Sequence, residues 1–119
     1  MTRFNDHSQS RRGYLNMWIV LNNSFLSIVK NRNNDRELLV RARVRGDIEK
    51  VFSDAEVFED ISADYKYRSY IQRETVATVV SQEITKIDYD NFKSSVSKDD
   101  SERSEAYMNV WIALNKMQN

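Results

Sequence analysis

Residues 37–45 read ELLVRARVR, a regular alternation of two kinds of side chain. One side of the alternation is entirely apolar and consists of Leu38, Val40, Ala42 and Val44. The other side begins with a leucine and continues as a row of arginines, namely Leu39, Arg41, Arg43 and Arg45. A period of two is typical of a half-buried β-strand. We therefore expect a strand over 37–45 whose outer face carries guanidinium groups spaced about 6.6 Å apart.

Four other stretches predict strands before and after this one. Residues 17–21 and 24–30 are rich in β-branched and aromatic side chains, and Asn22-Asn23 between them suits a tight hairpin turn, because asparagine tolerates a positive φ. A short strand is predicted over 55–58. A longer one is predicted over 65–71, where one side of the strand consists of Tyr65, Tyr67, Ser69 and Ile71.

Helical spacing of apolar residues predicts the remaining elements. Gly46 interrupts the arginine strand, and Asp47 is suited to cap a short helix that follows it. Longer helices are predicted over 73–87 and 101–118, with a helical turn over 90–96 between them.

The order of these elements, β-β-β-α-β-β-α-α-α, predicts an α+β fold. We expect a mostly antiparallel sheet of about five strands with helices packed on one face. A chain of 119 residues is long enough for one such domain. We assign residues 17–119 to that domain and the polar, basic residues 1–16 to a flexible N-terminal extension.

A basic surface on the sheet is the strongest functional signal. Lys66, Arg68 and Tyr70 repeat the outward basic pattern on the later strand, and Trp18 alternates outward on the first strand. Arginine pairs with phosphate or carboxylate and stacks on aromatic rings. If the outward faces coincide, one partner-binding surface consists of Arg41, Arg43, Arg45, Lys66, Arg68, Tyr70 and Trp18.

The charge distribution leaves three interpretations of that surface open. The chain is neutral overall, with 18 Lys+Arg and 18 Asp+Glu, but residues 1–45 hold 9 basic and 3 acidic side chains, whereas residues 47–64 hold 1 basic and 7 acidic. The acidic segment 47–64 can neutralise the arginines across the sheet. Otherwise the surface binds a protein partner with an acidic surface, or it binds RNA or single-stranded DNA. Overall neutrality favours protein over nucleic acid.

The residue inventory argues against familiar enzymes. The chain has no cysteine, one histidine (His7) and two glycines, Gly13 and Gly46, which is too little for a thiol or serine nucleophile, a zinc site or a phosphate-binding loop. We therefore expect a non-enzymatic protein without a cofactor or a metal. The alternative is a carboxylate- and magnesium-dependent hydrolase or nuclease. The candidate magnesium ligands are four pairs of acidic residues that are close in sequence, and each pair is also suited to capping a helix or a turn. The pairs are Asp47/Glu49, Asp54/Glu56, Asp88/Asp90 and Asp99/Asp100.

The longest apolar runs, such as residues 17–21, are far shorter than the roughly 20 residues needed to span a bilayer. Residues 1–10 lack an apolar signal-peptide core. We therefore expect a cytoplasmic protein that has no membrane partner.

An aromatic stripe marks the C-terminal region. Tyr107 and Trp111, preceded by Tyr89 and Phe92, are predicted to lie in the core. An exposed Trp111 would instead indicate a homodimer face.

Three stretches carry a resemblance to a known group of proteins: residues 17–22 (MWIVLN), 39–43 (LVRAR) with 46–49 (GDIE), and 87–93 (IDYDNFK). They resemble a family of small uncharacterised bacterial proteins, over residues 17–118. The resemblance implies no activity, but it implies that the arginine strand and the 89–93 turn belong to one domain.

Small domains without catalytic residues also occur among phage and mobile-element inhibitors such as anti-CRISPR proteins. By this analogy of size and class, we expect a small interaction or regulatory protein that binds a larger macromolecular partner through the basic sheet face.

Overall fold

The computed structural model describes residues 17–118, which form one sheet and four helices. In chain order the elements are β1 (Met17–Leu21), β2 (Ser24–Lys30), β3 (Glu37–Ala42), α1 (Asp47–Val51), β4 (Phe58–Glu59), β5 (Tyr67–Gln72), α2 (Arg73–Thr85), α3 (Phe92–Ser95) and α4 (Ser101–Asn115). Residues 1–16 and Asn119 lie outside the described part of the chain, and so does the predicted N-terminal extension.

The five strands lie in the order β1-β2-β3-β5-β4, and each neighbouring pair is antiparallel. β1 and β2 form a hairpin in which Leu21 lies opposite Ser24, so that Asn22 and Asn23 make the two-residue turn. The predicted α+β class and the predicted order of strands and helices are both confirmed. The strand order follows from the antiparallel return of β5 onto β3.

The hydrophobic core lies on one face of the sheet. It joins side chains of β2, β3 and β5 to side chains of α1 and α2, and its buried members are Leu26, Ile28, Val40, Ala42, Ile48, Phe52, Tyr67, Ile71 and Val76. Each large apolar side chain buried there stabilises the fold by about 1.5–3 kcal/mol relative to exposure. The inner face predicted for the arginine strand is confirmed at Val40 and Ala42, which are fully buried.

The second helix contributes only its first half to this core. Val76 is buried, and Val79 and Val80 pack beside it. Further along the predicted helix, Ile84 and Ile87 are 63% and 54% exposed. The reason is that only the first half of α2 packs against the core, and the chain beyond it extends past the core residues.

The arginine strand is shorter than the sequence pattern predicts. β3 ends at Ala42, and the chain then turns through 43–46 into α1. Gly46 has a φ of 92°, in the left-handed region that glycine adopts without a steric penalty, and it is the N-cap residue of α1. Arg43 and Arg45 therefore lie in this turn, and their alternation in the sequence does not correspond to a β-strand.

Asp47 has a different role from the predicted helix cap. It is the first residue of α1, and its side chain is fully buried. Its Oδ2 accepts a hydrogen bond from the Phe25 backbone N–H at 3.0 Å. The Arg103 guanidinium donates to both carboxylate oxygens, from Nη2 to Oδ1 at 2.7 Å and from Nη1 to Oδ2 at 3.1 Å. This bidentate pair connects α4 to the start of α1 and to β2.

Arg103 organises the beginning of α4. Its Nε donates to Asp100 Oδ2 at 2.8 Å, and its Nη1 donates to Tyr107 Oη at 3.1 Å. Tyr107 Oη donates in turn to the Ser24 carbonyl at 3.0 Å, in the β1–β2 hairpin. Burial alone would lower the pKa of Arg103, but the hydrogen bonds to Asp47, Tyr107 and Asp100 outweigh it and raise the pKa. The first turn of α4 is thus attached by polar contacts.

The aromatic stripe of α4 was predicted to lie in the core, and for Trp111 this prediction is wrong. Tyr107 is half-buried and contacts Phe92, with ring centroids 5.9 Å apart. Trp111 is 48% exposed, and Lys93 Nζ lies 4.3 Å from its ring centroid. Among the described residues, the buried and half-buried side chains of α4 lie in its N-terminal half, and Trp111 in the other half contacts Lys93.

The Asp47–Arg103 pair generates the first prediction. In Arg103→Met the buried Asp47 carboxylate loses its main counter-charge, so we expect the free energy of unfolding to fall by about 3–5 kcal/mol. The double variant Asp47→Asn/Arg103→Met leaves no buried charge and should lose less stability than Arg103→Met alone. Urea denaturation measures both. Glu102→Gln, an exposed change one residue away, is the control and should shift stability by less than about 0.5 kcal/mol. A double variant less stable than Arg103→Met would contradict the prediction.

Candidate functional site

The face of the sheet opposite the core, the open sheet face, is defined by the strand register. Its side chains alternate with the core residues on every strand, and they are Trp18, Val20, Phe25, Ser27, Val29, Leu39, Arg41, Phe58, Arg68, Tyr70 and Gln72. Trp18 and Tyr70 are 59% and 50% exposed. The helix residues that pack on the sheet contact the other face.

Three arginines meet at the centre of the open sheet face and surround one tyrosine. The guanidinium carbons of Arg41 and Arg43 lie 4.5 Å and 4.3 Å from the centroid of the Tyr65 ring. Arg68 Nε donates to the Tyr65 carbonyl at 3.0 Å. We call Arg41, Arg43 and Arg68 around Tyr65 the guanidinium cluster. Cation–π contact of this kind attracts each guanidinium to the ring and fixes its position.

The cluster holds like charges close together. Arg41 and Arg68 lie directly opposite each other on β3 and β5, an arrangement that destabilises a sheet when the charges have the same sign. Arg41 Nη2 donates to Ser27 Oγ at 2.7 Å, but its Nε is buried and has no hydrogen-bond partner among the described residues. Burial first, and then the charge of Arg68, lower the pKa of Arg41.

Two carboxylates partly compensate the cluster. Asp64 Oδ1 lies 3.8 Å from Arg68 Nη2, and the Asp64 side chain is 68% exposed. Hydrogen bonds from Ser62, and then the charge of Arg68, lower the pKa of Asp60. Arg43 Nη1 reaches only the Asp64 backbone carbonyl, at 3.4 Å. Among the described residues, these two carboxylates beside three guanidinium groups leave a local excess of positive charge. The acidic segment 47–64 therefore neutralises the face in part.

Aromatic side chains lie on both sides of the cluster. Trp18 on the edge strand β1 contacts Phe25 edge-on, with ring centroids 5.6 Å apart. On the other side, Tyr70 stacks on Phe58, with centroids also 5.6 Å apart and an angle of 27° between the rings. The open sheet face therefore combines a cationic centre with apolar, aromatic margins.

Two predicted surface residues lie outside the cluster. Arg45 pairs with Glu59, with Nη1 and Oε2 3.2 Å apart, and its guanidinium lies 5.2 Å from the ring centroid of Tyr67, a core residue. Lys66 Nζ lies 5.6 Å from the same ring. The physical reason is local: Arg45 follows the end of β3, and Lys66 precedes the start of β5. The structure brings Arg41, Arg43 and Arg68 together and leaves Arg45 and Lys66 beside Tyr67.

Two contributors to the site were not predicted from the sequence. Tyr65 was assigned to the same side as Tyr67, but β5 begins only at Tyr67. The Tyr65 ring is buried, its centroid lies 6.5 Å from that of Phe25 on the open sheet face, and two guanidinium groups lie over it. Phe58, predicted only as part of a short strand, forms the stack with Tyr70. The sequence offered one signal for Tyr65: it is an aromatic residue that lies between the acidic segment 47–64 and the basic residues of the next strand.

The predicted carboxylate pairs do not come together into a larger group. Within residues 17–118, no three His, Cys, Asp or Glu side chains are close enough to hold a metal ion. Asp47 is committed to Arg103, as described above. Over the same residues no helix combines the length and the apolar character that crossing a membrane requires.

The chain matches no protein-family model, no curated protein and no solved structure. The resemblance to a small bacterial family over 17–118 stays a prediction.

The cation–π contacts of Tyr65 generate the second prediction. Tyr65→Phe keeps the ring in contact with Arg41 and Arg43 and should change the free energy of unfolding by less than about 0.5 kcal/mol. Tyr65→Leu keeps an apolar side chain but removes the π-face, and should cost about 1–2 kcal/mol more, measured by urea denaturation. Tyr70→Leu is the control, because that ring is half exposed. Equal losses for Tyr65→Phe and Tyr65→Leu would mean that the ring face is not used.

Proposed function

We propose that this protein is a non-enzymatic interaction protein that binds an acidic surface of a larger protein through the open sheet face. The observation that carries the proposal is the guanidinium cluster, in which Arg68 forms an ion pair with the exposed Asp64, whereas Arg41 and Arg43 form none with the described residues. An inhibitor of the phage or mobile-element type is one form of this function, because such a protein acts by occupying its partner's surface.

The energetics of the cluster favour an anionic partner. Arg41 on β3 lies opposite Arg68 on the neighbouring strand β5. The Nε of Arg41 is buried and has no hydrogen-bond partner in the described residues. Both features cost stability in the free protein. A partner's carboxylate beside Arg43, which is exposed, would offset the like charges of the cluster and accept charge-assisted hydrogen bonds in the bidentate geometry that guanidinium groups favour.

The margins of the face favour protein over nucleic acid. Single-stranded nucleic acid binds by stacking its bases on open aromatic faces along a basic track. Tyr65 is buried, at 4% exposure, with two guanidinium groups over its ring, and one face of Tyr70 is covered by Phe58. With Arg45 and Lys66 beside Tyr67, the cationic part of the face is compact. A compact charged centre with aromatic margins is typical of a protein interface, where Arg, Trp and Tyr carry most of the binding energy.

A capture experiment with matched charge variants tests the proposal. The full chain, immobilised, is used to capture proteins from a lysate of the source organism, and the affinity of the captured partner is then measured with purified proteins. Arg43→Gln/Arg68→Gln removes two charges of the cluster and should weaken binding about 10- to 100-fold, because hydrogen-bonded charge pairs at an interface are worth several kcal/mol. The control Arg32→Gln/Arg36→Gln removes the same charge from the exposed β2–β3 loop and should change affinity less than about threefold.

Two other probes distinguish the alternatives. Short single-stranded DNA and RNA oligonucleotides are titrated at two salt concentrations, and salt-sensitive binding that the cluster variant abolishes would replace the protein partner by nucleic acid. Hydrolysis of such oligonucleotides that requires magnesium and stops with EDTA would contradict the non-enzymatic function. Equal effects of the cluster and loop variants on partner binding would contradict the assignment of the site to the open sheet face.

A further inference from the structure

The side chains along one side of α4 become more exposed towards its C-terminal end. Arg103, at the start, is 7% exposed, whereas further along the same side Val110 is 41%, Leu114 is 58% and, just after the helix, Met117 is 80% exposed. Residues three or four apart lie on one side of a helix, so these positions form a single row. The described residues cover the beginning of the row, through Asp47 and the hairpin, and leave its last two turns exposed.

The uncovered part of α4 has an unusual composition for a surface helix. From residue 106 to residue 115 the sequence reads AYMNVWIALN, without a charged side chain. Ile112 is 47% exposed and lies about 200° around the helix from Val110 and Leu114, so apolar residues occur on opposite sides. A helix that is apolar all round is normally buried. This segment is therefore suited to an interface.

We propose that the last two turns of α4 form a homodimer interface with a second copy of the chain. In a twofold arrangement the same row of each copy contacts the other, centred near Trp111. The absence of charge from 106 to 115 makes this self-contact free of like-charge repulsion. Homodimer interfaces are also the more apolar class, enriched in Trp and Met and depleted in charge.

The exposed area of the row agrees with a weak dimer. The exposed large apolar side chains of the row are Val110, Trp111, Leu114 and Met117, whereas Met108 and Ile112 lie on the opposite side of the helix. The exposed fractions of the four row residues, from 41% to 80%, amount to about 450 Å² per chain at on the order of 200 Å² for a fully exposed large side chain. Two copies would bury roughly 900 Å² through the row, the size of a weak, transient interface. A dissociation constant in the micromolar range is expected for such an area.

A second copy fits the segment better than a lipid surface does. Helices that lie on membranes carry Lys or Arg along a polar face. The uncovered turns contain neither, and Lys116 follows at the end. The nearest cation, Lys93, is held over the Trp111 ring at 4.3 Å. It would lie at the rim of a dimer interface.

Sedimentation equilibrium of the full chain tests the dimer. Between about 1 and 100 µM, the range set by the expected affinity, the mass should rise from 14.1 kDa towards twice that value. Leu114→Glu introduces an unpaired carboxylate into the interface and should raise the dissociation constant at least about 50-fold. Ile61→Glu is the matched control: Ile61 is 82% exposed in the loop after β4, and its replacement should leave the dissociation constant unchanged.

The fluorescence of Trp111 gives an independent readout. In the Trp18→Phe variant Trp111 is the one remaining tryptophan, and its emission should shift to the blue over the same concentrations at which the mass rises. A monomer at all concentrations would overturn the dimer, and so would a dimer that Leu114→Glu leaves intact. Blue emission from a monomer would show that another part of the chain covers α4. Binding of the monomer to phospholipid vesicles would assign the segment to a membrane surface instead. Far-UV circular dichroism verifies that each variant is folded.

Discussion

The buried ion pair between Asp47 and Arg103 is the contact on which the arrangement of the domain depends. A carboxylate without solvent access is unfavourable unless its oxygens are satisfied, and here both are, by a bidentate guanidinium and by the Phe25 amide. These bonds hold three separate parts of the chain in one relative position: the hairpin, the start of α1 and the start of α4. Apolar packing also joins α1 to β2, through Ile48 and Leu26, but no described residue of α4 belongs to that core, so α4 depends on the polar contacts.

This junction also separates the two surfaces proposed for binding. The guanidinium cluster lies on the open sheet face, opposite the core, and the uncovered turns of α4 begin beyond Tyr107. A polar attachment at one end of a helix leaves its other end free of the core, whereas an apolar attachment along the whole stripe would have buried Trp111. A dimer formed through α4 would therefore present two copies of the cluster to a partner.

Local patterns in the sequence predicted most of the fold, and interactions between distant residues account for what they missed. Alternation identified the strands, and the asparagine pair identified the hairpin, because both depend on near neighbours. The end of β3 was not predicted, because the alternation continues to Arg45 although Gly46 already requires a turn. The partnership of Asp47 with a residue 56 positions away has no local signal. For the site, the pattern identified Arg41, Arg43 and Arg68, whereas Tyr65 depended on the shape of the loop before β5.

The sequence separation of the Asp47–Arg103 pair has a consequence for how the chain folds. The contacts between β1, β2 and β3 join segments close in sequence and close short loops, which form early at a small entropic cost. The attachment of α4 closes a much longer loop and rests on a few hydrogen bonds. The sheet with α1 and α2 is therefore a cooperative unit that can form before α4 docks. A partial opening that detaches α4 would break these hydrogen bonds and leave the core intact, since no described side chain of α4 belongs to it.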